Sequence, residues 1–390
     1  MKLAKRMKNL GTETAFEVLA KAKKLEKEGK KIIHFEIGEP DFDTPENIKE
    51  AAWKALQEGK THYSPSQGIY ELREVIAQYI SQTRNIPVSP DEVVVAPGGK
   101  PIIFYTLLAL ADEGDEIIYP DPGYPIYSSV AAFTGAKPVP LPLRIENEFK
   151  IDFDELKQLI TDKTKIIILN SPHNPCGSML DIEDLEKLAN ILKNNPQIMV
   201  LSDEIYSRII YDGKHYSLAS LPGMKEKVII LDGYSKTYAM TGWRLGYGVM
   251  PKWLVPYITK LITNSVSCAS TFIQYAGIEA IKGPQSEVDK MVKKFRERRD
   301  YIVKELQSIE GVKIIEPKGA FYVFPYIGDI VKDIKGFCDH LLYEYGVAVL
   351  PGSCFGKYCE GFIRISYAAS MEDIKEGMKK IKEALQSHSK

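Results

Sequence analysis

The sequence predicts an α/β fold, a mostly parallel doubly wound sheet with a smaller α+β unit, and three observations point there. Between about Val93 and Met250, short β-branched runs alternate with amphipathic stretches, the rhythm of strands joined by crossover helices. Most of the strand candidates are continuously apolar, which marks strands covered on both faces. Beyond about Glu279 the pattern changes to a long charged helix followed by short strands, and this implies a second unit. The length agrees, because 390 residues at about 150 per domain make two or three domains.

Residues 1–44 precede the first βα module and are expected to pack with the smaller unit. Residues 45–285 are expected to form the large domain and 286–390 the small one. Strands are predicted at Val93 to Ala96, Glu116 to Tyr119, Lys165 to Leu169, Ile198 to Leu201, Lys227 to Leu231 and Leu245 to Val249. Between them, Pro101 to Leu110 reads as a helix with proline at its first position, where the missing N–H costs nothing. Ile182 to Asn194 repeats Leu185, Leu188 and Leu192 at helical spacing. Val288 to Ser308 is the long charged helix. Short strands are expected around Val312 to Ile314 and Ala320 to Phe324, and a helix from Asp373 to Gln386 follows.

Composition narrows the function. With 51 basic against 52 acidic residues the net charge is −1, so no global field favours nucleic acid or an anionic membrane, and a small-molecule partner is expected. The longest apolar run, Ile102 to Ala111, falls short of the roughly 20 residues a membrane span needs. The basic start MKLAKRMKNL lacks a following apolar core and small-residue cleavage site, so no secretory signal is expected. The five cysteines form no paired framework and no zinc spacing, which predicts reduced thiols in a cytoplasm. The six histidines show no ligand spacing, and no metal is expected.

Ligands of open α/β sheets sit beyond the carboxyl ends of the strands, so the chemistry is sought there. After the first strand comes Pro97-Gly98-Gly99-Lys100 and a helix, where free N–H groups and a positive dipole end suit a phosphate. A tight turn needs the same glycines, and the spacing matches neither nucleotide fingerprint. After the second comes Asp121-Pro122-Gly123-Tyr124-Pro125, with a ring able to stack on a planar ligand, or simply to pack. After the third, prolines and a glycine fix the backbone around Asn174. The fourth ends in Ser202-Asp203-Glu204-Ile205-Tyr206, an acid that needs a partner when buried and a nearby phenol. The fifth leads into Ser235-Lys236-Thr237-Tyr238-Ala239-Met240-Thr241-Gly242-Trp243-Arg244. A lysine desolvated near other cations has a lowered pKa and can capture a carbonyl, while Arg and Ser can neutralise a phosphate. Taken together, these groups match the needs of pyridoxal 5′-phosphate.

At this point the sequence resembles the class I (fold type I) pyridoxal-phosphate-dependent aminotransferases, from Gly38-Glu39-Pro40-Asp41-Phe42 to Arg364-Ile365-Ser366-Tyr367, with wording nearest the aspartate and aromatic enzymes. The resemblance implies Lys236 as the amine that captures the cofactor aldehyde and Asp203 as partner of the pyridinium nitrogen. It implies Asn174 and Tyr206 on the phenolic oxygen, Tyr124 against the ring, and Gly99, Lys100 through its backbone N–H, Ser235 and Arg244 around the phosphate. Tyr63 looks like the family's tyrosine that reaches the neighbouring subunit's phosphate, which implies a homodimer with shared sites. Gly38 and Arg364 correspond to the groups that hold the substrate α-carboxylate, Arg364 bidentately. Cys176 stands where the family usually has threonine, and Gly123-Tyr124 replaces a pair ending in tryptophan; neither removes a required group.

The implied reaction is ping-pong transfer of an amino group from an L-amino acid to a 2-oxo acid. Aspartate with 2-oxoglutarate comes first, and aromatic amino acids or alanine stay open. The rivals are C–S β-elimination or ring closure on the same scaffold. A ligand-sensing regulator is a further alternative, disfavoured because no basic helix-turn-helix segment is present.

Overall fold

The computed structural model describes residues 2–388. Helix α1 (Thr14–Lys27) leads to a two-residue strand, β1 (Ile33–His34), and α2 (Glu46–Gln57) and α3 (Tyr70–Arg84) precede β2 (Val93–Ala96). Then follow α4 (Lys100–Leu110), β3 (Glu116–Asp121), α5 (Ile126–Thr134), β4 (Lys137–Pro142), α6 (Phe153–Leu159), β5 (Thr164–Asn170), α7 (Ile182–Lys193), β6 (Met199–Asp203), β7 (Val228–Gly233) and β8 (Gly246–Val249). The remainder comprises α8 (Val255–Ser265), α9 (Thr271–Lys282), α10 (Ser286–Gln307), β9 (Tyr322–Val323), α11 (Ile334–His340), β10 (Val347–Ala348), β11 (Leu350–Pro351), β12 (Ile363–Ser366) and α12 (Met371–His388).

Seven strands make the main sheet in the order β2-β8-β7-β6-β5-β3-β4. All neighbours are parallel except β8, which runs antiparallel to both β2 and β7. Alternate side chains feed two faces, as the two-residue period requires. Val93, Val95, Ile167, Val200 and Ile230 join the core under α2, α3, α7 and α9, while Val94, Ile166, Leu201 and Ile229 join the one under α4, α5 and α8. Local chemistry starts the helices where the sequence indicates. At α7 the Asp181 carboxylate accepts the Asp184 N–H at 2.9 Å, and Asp184 accepts the Asp181 N–H at 3.2 Å. This reciprocal cap is worth about 1 kcal/mol, and beyond it Leu185, Leu188 and Leu192 turn inward.

Two expectations need correction. Lys137–Pro142 is a strand that the sequence reading omits, because proline cannot donate to a ladder. Pro138, Pro140 and Pro142 sit at alternate positions of an edge strand, so their missing donors all face away from β3. The odd-numbered positions donate instead, as Lys137 N to Asp115 O and Leu143 N to Asp121 O, both at 2.8 Å. In the other direction, Val312 to Ile314 forms no strand, only a bridge between Lys313 and Tyr326, and the expected strand at Ala320 to Phe324 shrinks to Tyr322–Val323. Ala320 takes a positive φ of 58°, which breaks an extended run before it can lengthen.

A separate apolar core gathers Phe295, Ile302 and Leu306 of α10, Phe321, Val323, Ile363 and Ile365, and Ile374, Ile381 and Leu385 of α12. Ile33 and Phe35 belong to it, and β1 pairs in parallel with β10. The N-terminal segment thus crosses back to the chain's last third. No described helix is long and apolar enough to cross a membrane.

Candidate active site

The carboxyl ends of the parallel strands open into a cavity of about 480 Å³. It is lined by Gly38, Gly99, Lys100, Tyr124, Asn174, Asp203, Tyr206, Ser235, Lys236, Arg244 and Arg364, among others. Every site residue expected from the sequence is therefore brought together here except Tyr63. That ring is 89% exposed and takes no part in the lining.

One wall is a cradle built by close backbone approach. Gly98 has φ +98°, and a Cβ there would lie 2.2 Å from the Arg244 Nη2. Gly246 is as constrained, since its Cβ would meet the Gly98 carbonyl carbon at 2.6 Å. Gly99 caps α4; Pro101 has no N–H and the Ile102 N–H bonds the Gly99 carbonyl at 3.0 Å, so the positive end of the dipole is presented by Gly99 and Lys100, which both line the cavity. Arg244, itself at φ +56°, donates Nη1 to the Thr241 carbonyl at 2.8 Å.

Asp203 lines the same cavity, at the end of β6 and 4% exposed. Its Oδ2 accepts the Tyr127 hydroxyl at 2.7 Å and its Oδ1 the Ile205 N–H at 3.2 Å. Among the described residues no basic side chain pairs with it. Burial pushes its pKa up to about 6, against the lowering effect of those two hydrogen bonds. A buried carboxylate without a cation is incomplete electrostatically, and a protonated ring nitrogen would complete it.

Lys236 follows β7 and donates its Nζ to the Gly38 carbonyl at 2.5 Å. Burial lowers its pKa to about 8; Glu39 opposes this, while Arg244, Arg364 and Lys100 add to it. A tenth or so of the amine is then neutral near pH 7, against well under a thousandth for an ordinary lysine. Arg364, on β12 and 4% exposed, donates Nη1 to Asn174 Oδ1 at 3.3 Å and Nη2 to the Glu36 carbonyl. Its guanidinium lies between the rings of Tyr322 and Phe355, at 4.6 and 4.9 Å from their centroids. Its Nε is buried and unpartnered among the described residues, so a donor of this fork remains free for an incoming carboxylate.

Asn174 is held by Asn170, whose Oδ1 accepts the Asn174 N–H at 2.8 Å and whose amide donates to the Asp203 carbonyl at 3.1 Å. Tyr206 shares a 2.8 Å hydroxyl contact with Tyr322, and burial raises its pKa well above the usual phenol range. Cys176 is buried in the core beside this loop, and burial raises its thiol pKa too, so it packs as a small apolar group. The residues fit the expected cofactor: a cradle for a dianion, an uncompensated carboxylate, a partly neutral amine and an aromatic wall at Tyr124.

Sequence reasoning missed Tyr127, Tyr322, Asn170 and Glu13. Tyr127 stands in the first turn of α5, three residues after Tyr124, which precedes the helix, and the two rings pack edge to face at 5.8 Å; that closeness in sequence was the only local signal. Tyr322 explains Gly38, where a Cβ would fall 2.1 Å from the Tyr322 hydroxyl oxygen.

Residues 30–381 match the family of class I and II aminotransferases. The chain is 44% identical over 360 residues to an aspartate aminotransferase of Pyrococcus abyssi, covering 91% of this chain and 92% of that one. It is 41% identical over 358 residues to aromatic-amino-acid aminotransferase 2 of Thermococcus litoralis, with the same 91% and 92% covered. Among solved structures, the aspartate aminotransferase of Thermus thermophilus with maleate superposes with a TM-score of 0.94 at 34% identity, over 98% of this chain and 100% of that one.

Proposed function

Since the chain belongs to the class I and II aminotransferases, and is an aminotransferase, we propose that it works with pyridoxal 5′-phosphate held at Lys236 and Asp203. The observation that carries this reading is the pairing, in one cavity, of a lysine of lowered pKa with a buried carboxylate that lacks a cation. Gly99, the Lys100 N–H, Ser235 and Arg244 would hold the phosphate, Tyr124 would face the ring, and Asn174 and Tyr206 would bond the phenolic oxygen.

When bound, the cofactor supplies an aldehyde for the substrate amine and an electron sink for the pair left at Cα. Asp203 then holds the ring-nitrogen proton, because its buried charge is stable only with that partner. Arg364 grips the α-carboxylate, with Gly38 beside it, and orients the Cα–H bond. Lys236 Nζ takes the proton from Cα, a task that suits an amine titrating near 8. Tyr206 and Asn174 keep the phenolic oxygen oriented.

We place L-aspartate and 2-oxoglutarate first among substrates, supported by the relatives named aspartate aminotransferase; aromatic amino acids come next, on the strength of the Thermococcus relative. The reading includes a role in amino acid metabolism and biosynthesis in the cytoplasm, which suits five free thiols. It also includes a homodimer in which Tyr63 serves the neighbouring subunit's phosphate site, and a division of the chain at 45–285 and 286–390, with 1–44 beside the latter.

Borohydride reduction of the cofactor-loaded protein, followed by peptide mass analysis, is expected to leave the pyridoxyl phosphate mass on Lys236. Amino transfer from aspartate should then require a 2-oxo acid. A label on another peptide, or a cysteine S-conjugate turned over to pyruvate, ammonia and the free thiol without any oxo acid while aspartate gives no amino transfer, would overturn the reading.

A further inference from the structure

Ping-pong amino transfer makes one pocket accept two different side chains in turn, and the mouth of this cavity carries a device suited to that. Glu13, the residue that precedes α1, pairs its carboxylate with Lys100 Nζ. It also accepts the Tyr124 hydroxyl at 3.1 and 3.3 Å. The Lys100 ammonium lies 5.6 Å from the Phe16 ring centroid and 5.5 Å from that of Tyr124. Glu13, Phe16, Lys100 and Tyr124 all line the same cavity as Lys236 and Arg364.

The other cations there are already assigned: Arg244 to the phosphate, Arg364 to the α-carboxylate, Lys236 to the amine. Among the described residues that line the cavity, only the Lys100 side chain remains to meet a second carboxylate, and Glu13 already occupies it. The pair is partly open, with the lysine side chain 39% and the glutamate 20% exposed, so exchanging one carboxylate for another needs only rotation of a side chain. The helix behind Glu13 is anchored independently. Ala22 and Leu25 pack on Leu342 and Ala348, Lys21 pairs with Asp339 at 2.9 Å, and the Gly11 N–H bonds Ser129 Oγ at 2.8 Å.

We propose that Glu13 is a specificity-determining residue that stands in for a substrate's second carboxylate. With a neutral or aromatic side chain at the mouth, Glu13 keeps Lys100 paired, and no uncompensated cation faces an apolar group. With a dicarboxylic amino acid or oxo acid, the distal carboxylate takes Lys100 and Glu13 turns toward water. Both substrate classes are thereby accepted, and dicarboxylates bind more weakly than a free lysine would allow. This rests on the aminotransferase reading of the site.

The test uses the cofactor-loaded protein and two unreactive ligands, succinate and butyrate, which share one carboxylate for Arg364 and differ by the second. Calorimetric titration of Glu13→Gln, which keeps the size of the side chain and removes its charge, is expected to tighten succinate by about tenfold, the scale of one charge-assisted contact. Butyrate should stay within about twofold. Lys100→Met should erase the preference of succinate over butyrate, and the double variant should show no gain, so the two effects are coupled. Glu13→Asp, which withdraws the carboxylate by one methylene, reads the same ratio should the glutamine variant not fold. Unchanged or weaker succinate binding, with Lys236 still labelled by borohydride, overturns this inference alone; failure to label Lys236 in the unaltered protein overturns the reading beneath it.

Discussion

Lys236 and Asp203 do opposite things for one physical reason: burial disfavours charge, lowering the amine's pKa to about 8 and raising the carboxyl's to about 6. For the cofactor-free protein, the rate at which Lys236 combines with pyridoxal phosphate should rise about tenfold per pH unit below 8 and level off above it. Stopped-flow absorbance checks this, and a rise continuing to pH 10 would mean an ordinary exposed lysine. Asp203→Asn keeps the shape and removes the charge, so amino transfer should fall by roughly 10²–10³-fold. Equilibrium dialysis should show that cofactor affinity changes much less. Equal losses in both would make Asp203 a binding group only.

At the level of elements, the ends of β6 and β7 are braced from beneath by a buried network. Arg84 on α3 donates Nε to Glu204 and Nη2 to Asp232, both at 2.8 Å, and His215 and Ser217 add contacts to Glu204 at 3.0 and 2.6 Å. Burial opposes ionisation of Glu204, but His215 and Arg84 outweigh it and bring its pKa to about 2. A depressed carboxyl contributes stability above its unfolded pKa of about 4.3 and loses it as the pH falls toward 2. Urea midpoints should therefore drop through that window. Arg84→Met leaves two buried carboxylates against one histidine, and unfolding should become easier by about 3–5 kcal/mol. A change below about 1 kcal/mol would show the network to be dispensable. The cradle is the other element-level device. Gly98→Ala drives a methyl group against Arg244 and should raise the inorganic phosphate dissociation constant of the cofactor-free protein by about tenfold or more in calorimetry, with the fold intact by circular dichroism.

At the level of the whole molecule, the site lies where two cores meet. Asp203 and Lys236 come from the sheet, Gly38 and Arg364 from the part built on α10, α12 and the segment around β1. Their closeness depends on how these two bodies pack. Tyr63, Tyr70 and Tyr257 stand 89%, 54% and 61% exposed on the single chain, as groups awaiting a partner surface would. Sedimentation should give twice the chain mass, and Tyr63→Phe should weaken cofactor retention while leaving that mass unchanged; a monomer that retains the cofactor fully would refute the shared site.

The sequence by itself determined which residues stand at strand ends, because two-residue and 3.6-residue periods and turn glycines are local properties. That is why Lys236, Asp203, Asn174 and Arg244 could be placed after strand ends before any coordinate, whereas Arg364 was singled out only by the resemblance to the aminotransferases. Tertiary structure alone decided that Tyr127 meets Asp203, that Tyr322 forbids a side chain at Gly38, that Glu13 reaches Lys100 across 87 positions, and that the proline-rich Lys137–Pro142 becomes an edge strand. Such pairings are set by the burial of apolar faces far apart in the chain, and no nearby spacing records them.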